Sequence, residues 1–217
     1  MAIFSHPHIR NSARWNGLRV GLLGGSFNPP HEGHLHISRI ALATLHLDAV
    51  WWIVTPQNPL KDKSILMPYD ERIALSQNLT KGQPKIIVTD IERDLGTNIT
   101  AFTVRKLKTH YPSTNFVWIT GMDNALNLHK WNLWRNLLSE ICMLHITRHP
   151  AVSLTQRCPQ RLLNGHRHVI LERGGEVPLL PKISYWLLQK KMINISSTEI
   201  RNKNKELGRE SVCAQPA

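Results

Sequence analysis

Between Leu23 and Leu35 the chain reads Gly24-Gly25-Ser26-Phe27-Asn28-Pro29-Pro30-His31-Glu32-Gly33-His34, a concentration of residue types suited to gripping an anion. Gly24 and Gly25 carry no Cβ, so backbone N–H groups in a turn there can approach a phosphate closely. Pro29 and Pro30 stiffen the loop and suit a helix entry. They set His31, Gly33 and His34 near a first helical turn, where unpaired N–H groups and the helix dipole favour negative charge. His31 and His34 share a face at that spacing, each imidazole can donate to a phosphate oxygen, and Gly33 leaves room between them. A second stretch, Ile195-Ser196-Ser197-Thr198-Glu199-Ile200-Arg201, places hydroxyl residues ahead of an acidic residue and an arginine. Structurally it is an N-capped helix; chemically its hydroxyls, helix N–H groups and Arg201 form a second anion site for the other phosphates of a triphosphate. Taken singly, a glycine pair, two histidines and a helix cap are ordinary. Their combination at the carboxyl end of a first strand, where open α/β sheets bind ligands, is not.

The elements that must position these residues follow from the apolar pattern. Leu18 to Leu23 reads as a short buried strand running into the glycines, Ala49 to Val54 as a second strand covered on both faces, and His34 to Leu47 as the helix between them. That βαβ unit implies a parallel pair. The alternation continues with a helix from Asp70 to Leu79, a strand at Lys85 to Ile91, a helix from Thr100 to His110 and a strand at Phe116 to Thr120. Two short helical pieces around Asn124 to Leu138, a strand at Cys142 to Thr147 and a weaker one at His168 to Glu172 complete it, with residues 150–167 as a surface loop. The fold class expected is α/β: a Rossmann-like doubly wound parallel sheet with helices on both faces, in a single domain. Residues 18–201 form that domain, residues 1–17 a flexible leader and residues 202–217 a C-terminal tail.

Composition narrows the function. At 217 residues with 41% apolar residues and seven tryptophans, the chain can bury one sizeable core. No apolar run reaches the roughly 18 residues of a membrane span, and the leader lacks the apolar stretch of a secretory signal, so the cytosol is expected. Cys142, Cys158 and Cys213 are odd in number and form no C-x-x-C pair, which argues against a disulfide framework or a zinc knuckle. The net charge of +12 favours polyanionic partners, nucleic acid or phosphate-rich small molecules alike.

The run GGSFNPPHEGH and the segment ISSTEIR resemble the nucleotidyltransferases with an H-x-G-H signature, and most closely the bacterial nicotinate-nucleotide adenylyltransferases. The resemblance spans Leu18 to Arg201 and includes landmarks between the two motifs. Lys61 in Gln57-Asn58-Pro59-Leu60-Lys61 sits where the family has a basic residue facing phosphates, although Leu60 replaces a frequent histidine. Thr97 and Thr100 lie in a stretch that approaches the pyridine nucleotide, with Ile99 in place of the family's tyrosine. Gly121 and Asp123 match a G-x-D whose aspartate contacts adenosine; a helix N-cap is an alternative or added role for Asp123. Trp131 matches a tryptophan that stacks on the nicotinate ring, though it could equally be core, and Arg148 matches an arginine near ATP. The tail after Arg201 lacks the apolar residues of the family's terminal helical segment.

The resemblance implies transfer of an adenylyl group from ATP to nicotinate mononucleotide, yielding nicotinate adenine dinucleotide and pyrophosphate in NAD biosynthesis, with Mg2+ bridging phosphates. On this reading His31, His34, Lys61 and Arg201 are the catalytic residues. Gly24, Gly25, Ser26, Phe27, Gly33, Gly121, Asp123, Arg148, Ile195, Ser196, Ser197 and Thr198 hold ATP, while Asn28, Thr97, Thr100 and Trp131 hold the acceptor. No residue is expected to bind metal directly. The attacking phosphate has a second pKa of about 6 and is largely ionised at neutral pH, so no general base is required. Alternatives are an adenylyltransferase for nicotinamide mononucleotide or phosphopantetheine, a truncated class I synthetase-like domain, and a basic nucleic-acid-binding protein. The last ranks low because the basic residues are dispersed and lack aromatic interleaving. A homo-oligomer is compatible with the sequence, which carries no signature of one.

Overall fold

In the computed structural model, which describes residues 7–56, 66–148, 158–172, 174–189, 197, 200 and 201, the apolar runs become strands of one sheet. β1 (Arg19–Gly25), β2 (Ala49–Val54), β3 (Ile86–Thr89), β4 (Asn115–Gly121), β5 (Cys142–Arg148), β6 (Arg167–Leu171) and β7 (Ile183–Gln189) form it in the order β3-β2-β1-β4-β5-β7-β6. Every pairing is parallel. All six residues of β2 are buried, as a central strand covered on both sides requires. Trp51 and Ile53 face one side and Trp52 and Val54 the other, so alternate residues of one strand feed two separate cores. The first core is closed by α3 (Ile91–Leu95), α4 (Thr100–His110) and α6 (Trp134–Glu140); the second by α1 (Glu32–Thr44) and α2 (Tyr69–Leu79). α5 (Met122–Asn127) leaves β4 and packs with Cys158 and Trp186 in a smaller third cluster. The doubly wound architecture expected from the sequence is the architecture present.

Three features depart from expectation. β7 was not expected; its residues ISYWLLQ are too short an apolar run for periodicity to tell strand from helix, yet β7 lies between β5 and β6 and displaces β6 to the sheet edge. The strand expected to reach Ile91 stops at Thr89, whose hydroxyl accepts from the Ile91 N–H at 3.1 Å and turns the chain into α3. Residues 7–17, expected as part of a flexible leader, are packed. Short 3-10 turns at Pro7–Arg10 and Ser12–Trp15 bury Ile9 and Trp15. The Tyr111 hydroxyl donates to the Ile9 carbonyl at 2.7 Å, and Trp15 meets Trp51 edge-to-face with centroids 4.8 Å apart. Residues 1–6 and the tail 202–217 lie outside the described residues.

Candidate active site

The strand register opens a crevice at the carboxyl ends of the two central strands. β1 pairs with β4 only from Arg19 to Leu23, against Asn115 to Ile119. Beyond that point Gly24 and Gly25 remain paired with Ile53 and Val54 of β2, while Thr120 and Gly121 pair with β5. β1 and β4 thus part company where the strand order reverses, the place at which open α/β sheets receive nucleotides. The glycine pair is therefore strand, not turn, and the turn proper begins at Ser26. Gly24 has a packing reason to lack a side chain: a Cβ there would stand 2.5 Å from the Trp118 ring. At Gly25 the nearest atom, in the Phe27 ring, would be 3.4 Å away.

Phe27 occupies the left-handed backbone region with φ of 44°, a strained setting for a residue with a side chain. Its ring is buried, stacked on Trp52 at 4.8 Å and 18°, and lies 4.8 Å from the His34 ring. The aromatic stack holds the turn in that conformation and gives His34 a wall to lean on.

The two histidines meet at the start of α1. His31 is the N-cap, its Nδ1 accepting from the Gly33 N–H at 3.1 Å, and His34 Nδ1 accepts from the His31 N–H at 3.2 Å. The reciprocal pair is a capping box built from imidazoles instead of a hydroxyl and a carboxylate. It has a chemical consequence. With both Nδ1 atoms acting as acceptors, the neutral rings carry their protons on Nε2, so each is a donor on the side away from its own backbone. The rings lie 3.9 Å apart, centroid to centroid, at the positive end of the helix dipole.

The distant serine and arginine arrive at the same loop. The Ser197 hydroxyl donates to the Pro29 carbonyl at 2.9 Å, and Arg201 Nη1 donates to the Asn28 carbonyl. The Asn28 carboxamide oxygen accepts from the Met67 N–H at 3.0 Å, so this buried side chain, expected to touch the acceptor, braces the loop. Lys61, Ile195, Ser196 and Thr198 lie outside the described residues, and Arg148 is described only as the last residue of β5, in register with Gln189.

Sequence reasoning missed Arg72. On an amphipathic helix an arginine reads as a solvated face, yet this one is 1% exposed. Its guanidinium donates to the carbonyls of Ser26 at 2.6 Å, Thr55 at 2.9 Å, Pro56 at 2.9 Å and Met67 at 3.1 Å. The available signal was its place near the start of α2, a helix of weak amphipathicity that follows the loop after the second strand.

On the other side of the crevice, Gly121 is the N-cap of α5 and Asp123 lies exposed in its first turn. The N-cap role considered for Asp123 therefore falls to Gly121. Trp131 is half-buried, edge-on to Trp118 with centroids 6.4 Å apart and planes at 86°, so it has a packed edge and a partly open surface. Thr97 and Thr100 flank the turn between α3 and α4, where the Thr97 hydroxyl accepts from the Ile99 N–H at 3.2 Å. Glu92 lies beneath that turn. Its carbonyl accepts from the Thr97 N–H at 3.2 Å and its carboxylate accepts from the Thr103 hydroxyl at 2.9 Å. Burial raises the Glu92 carboxyl to about 7, partly offset by the hydroxyls of Thr103 and Thr55.

Comparison with known proteins bears on this geometry. Residues 22–203 match the cytidylyltransferase-like family. A probable nicotinate-nucleotide adenylyltransferase of Cereibacter sphaeroides is 37% identical over 182 residues, 84% of this chain and 96% of the relative. One of Parvibaculum lavamentivorans is 47% identical over 125 residues, 58% of this chain and 62% of the relative, so that match spans less than two thirds of the relative's length. Among solved structures, Plasmodium falciparum nicotinic acid mononucleotide adenylyltransferase complexed with NaAD superposes with a TM-score of 0.64, at 17% identity and with 85% and 83% of the two chains covered. That likeness extends the shared fold over most of the domain. The chain belongs to the cytidylyltransferase-like family and, within it, to the bacterial nicotinate-nucleotide adenylyltransferases.

Proposed function

We propose that the protein transfers the adenylyl group of ATP to nicotinate mononucleotide in the β1–β4 crevice, giving nicotinate adenine dinucleotide and pyrophosphate on the way to NAD, in line with the adenylyltransferase names of its relatives. The observation that carries this reading is convergence: Ser197 and Arg201 close onto Asn28 and Pro29, immediately ahead of the paired histidines. An oxygen of the mononucleotide phosphate attacks the α-phosphorus of ATP. A phosphoanhydride bond forms, the bond to the β-phosphate breaks, and pyrophosphate leaves with its electron pair. The nucleophile is already ionised, so the protein's work is holding two anions in line and matching the charge that builds on the leaving group.

His31 and His34 present Nε2–H donors to the ATP phosphates, Phe27 contributes its backbone N–H, and Gly33, whose own N–H is held by His31, leaves room between the rings. Arg201 and Lys61 supply positive charge, with Ser196, Ser197, Thr198 and Ile195 lining the far end. Gly24 and Gly25 keep the strand end close to the nucleotide, while Ser26 and Asn28 hold the turn. Across the crevice Gly121, Asp123 and Arg148 take the adenosine portion, and Thr97, Thr100 and Trp131 take the pyridine nucleotide. No grouping of three His, Cys, Asp or Glu side chains suited to a metal occurs among the described residues. Magnesium belongs in this reading to the substrate, as the Mg2+ complex of ATP. The reading takes the cytosol as the setting.

Pyrophosphate release is measured with ATP, magnesium and, in turn, nicotinate mononucleotide, nicotinamide mononucleotide and phosphopantetheine. Turnover with the nicotinate form well above the other two is the expected result. Preference for another acceptor reassigns the substrate, and no turnover with any of them rejects the reading.

A further inference from the structure

We infer that Arg72 is a positioning residue for ATP, acting through the peptide between Ser26 and Phe27; this rests on the adenylyltransferase reading of the site. Arg72 comes from α2, behind the loop, and is almost wholly removed from solvent. A guanidinium buried to that degree is normally matched by a carboxylate. Here its four hydrogen bonds go to neutral backbone carbonyls, and none of the ion pairs among the described residues includes Arg72. The fork ties together three places in the chain: the turn after β1, the end of β2 and the approach to α2. No single-point cation could satisfy the same set, because the bonds leave three different nitrogens in one plane.

The consequence for the site follows from peptide geometry. The Ser26–Phe27 peptide is trans, so its carbonyl and the Phe27 N–H point in opposite directions. Pulling the Ser26 carbonyl onto Arg72 at 2.6 Å therefore aims the Phe27 N–H away from α2. No acceptor among the described residues meets that N–H. An unmet main-chain donor, held in a left-handed conformation at the mouth of an anion site, is a preorganised phosphate contact. The buried charge behind it adds to the positive potential there, because its partners leave the net charge uncancelled. The Thr55 N–H accepted by the Gly25 carbonyl at 2.9 Å extends the same frame to the strand end.

The test compares the unaltered protein with Arg72→Lys and Arg72→Ala by ATP calorimetry and by steady-state kinetics, each variant first checked for a cooperative thermal transition. Arg72→Lys keeps the charge and loses the fork; it should raise the KM for ATP about tenfold and leave that of the mononucleotide within about twofold. Millimolar guanidinium chloride should restore ATP binding to Arg72→Ala and do nothing for Arg72→Lys, whose ammonium occupies the cavity. An ATP KM in Arg72→Lys within about twofold of the unaltered protein overturns the inference, as does an equal rise in both KM values. If Arg72→Ala does not fold, Arg72→Lys alone decides. An unaltered protein that binds no ATP overturns the parent reading and this one with it, whereas intact ATP binding in both proteins overturns this one alone.

Discussion

At the scale of single residues, each histidine caps the helix through Nδ1 and, in the proposed reaction, donates to phosphate through Nε2, and substitutions can separate the two roles. Asparagine at position 34 offers an oxygen near Nδ1 and so keeps the capping bond to the His31 N–H, while losing the outward donor. Glutamine reaches the Nε2 position and leaves the cap unmet. His34→Asn should therefore keep thermal stability near that of the unaltered protein and lower kcat by roughly 10²- to 10³-fold, the usual cost of one preorganised donor. His34→Gln should retain more activity and lose about 1 kcal/mol of stability. Equal kcat values for the two variants would show that the outward nitrogen is not the catalytic one. Gly24 and Gly25 separate in the same way. Gly24→Ala drives a methyl to within 2.5 Å of the Trp118 ring and should cost about 1–3 kcal/mol, recovered in part by Trp118→Leu. Gly25→Ala meets only ordinary contacts and should change stability little. Urea titrations of the single variants and of Gly24→Ala with Trp118→Leu measure both effects.

At the scale of elements, the sheet carries a pH dependence in two places. His145 on β5 is fully buried; its Nδ1 is 2.7 Å from the Thr120 hydroxyl on β4, and Nε2 has no partner among the described residues. Burial lowers its pKa to about 3, with help from His168 and His166, the second of which burial itself lowers to about 4. A folded-state value below the unfolded one of about 6.5 means that stability is complete above pH 6.5 and is lost as pH falls, by about 1.4 kcal/mol per unit for His145. Glu92 works in the opposite direction. Its folded value of about 7 lies above the unfolded one, so its neutral form is favoured in the fold and stability is lost as pH rises through 7. His145→Gln, which keeps an acceptor for Thr120, should flatten the acid limb of a stability–pH curve. Glu92→Gln should raise stability above pH 7 and leave it little changed at pH 5. Denaturant midpoints between pH 4 and 9 would show both limbs, and a His145→Gln curve parallel to the unaltered one on the acid side would remove the histidine from the account.

The same elements show what the sequence could and could not disclose. β1, α1, β2 and the loop between them were legible because each carries a distinct signal: a continuous apolar run, a helical period, and glycine and proline at the turn. The approach of Ser197 and Arg201 to that loop was legible only as a requirement, since residues 168 and 173 positions apart leave no local trace of contact. β7 escaped because its buried Ser184 and short length blur the pattern, and Arg72 because helical position says nothing about which tertiary partners a long side chain will reach. Imidazoles acting as a capping box escaped for another reason: the box is ordinarily read from hydroxyl and carboxylate residues.

At the scale of the whole molecule, the segment before β1 belongs to the structure that supports the site. Ile9 and Trp15 enter the core on the face of α3, α4 and α6, where Trp15 packs on Trp51 and where Trp118, Leu137 and the half-buried Trp131 also lie. Two further bonds fasten the segment: the Gly17 N–H donates to the Ser113 carbonyl at 2.7 Å, and the Thr114 hydroxyl donates to the Trp15 carbonyl at 2.9 Å. Its removal would bare the Trp51 ring and leave the buried Tyr111 hydroxyl without the Ile9 carbonyl, two effects that each cost free energy. Trp15→Ala should therefore destabilise the protein by about 3–5 kcal/mol, and deletion of residues 1–17 by at least as much. Because the cavity opens on the sheet face that also supports Trp131, activity should fall before unfolding is complete, with the KM of the mononucleotide rising ahead of that of ATP. Thermal melts of Trp15→Ala, alongside kinetics well below its transition, test the chain of reasoning. A variant with unchanged melting would return residues 7–17 to the status of a dispensable leader.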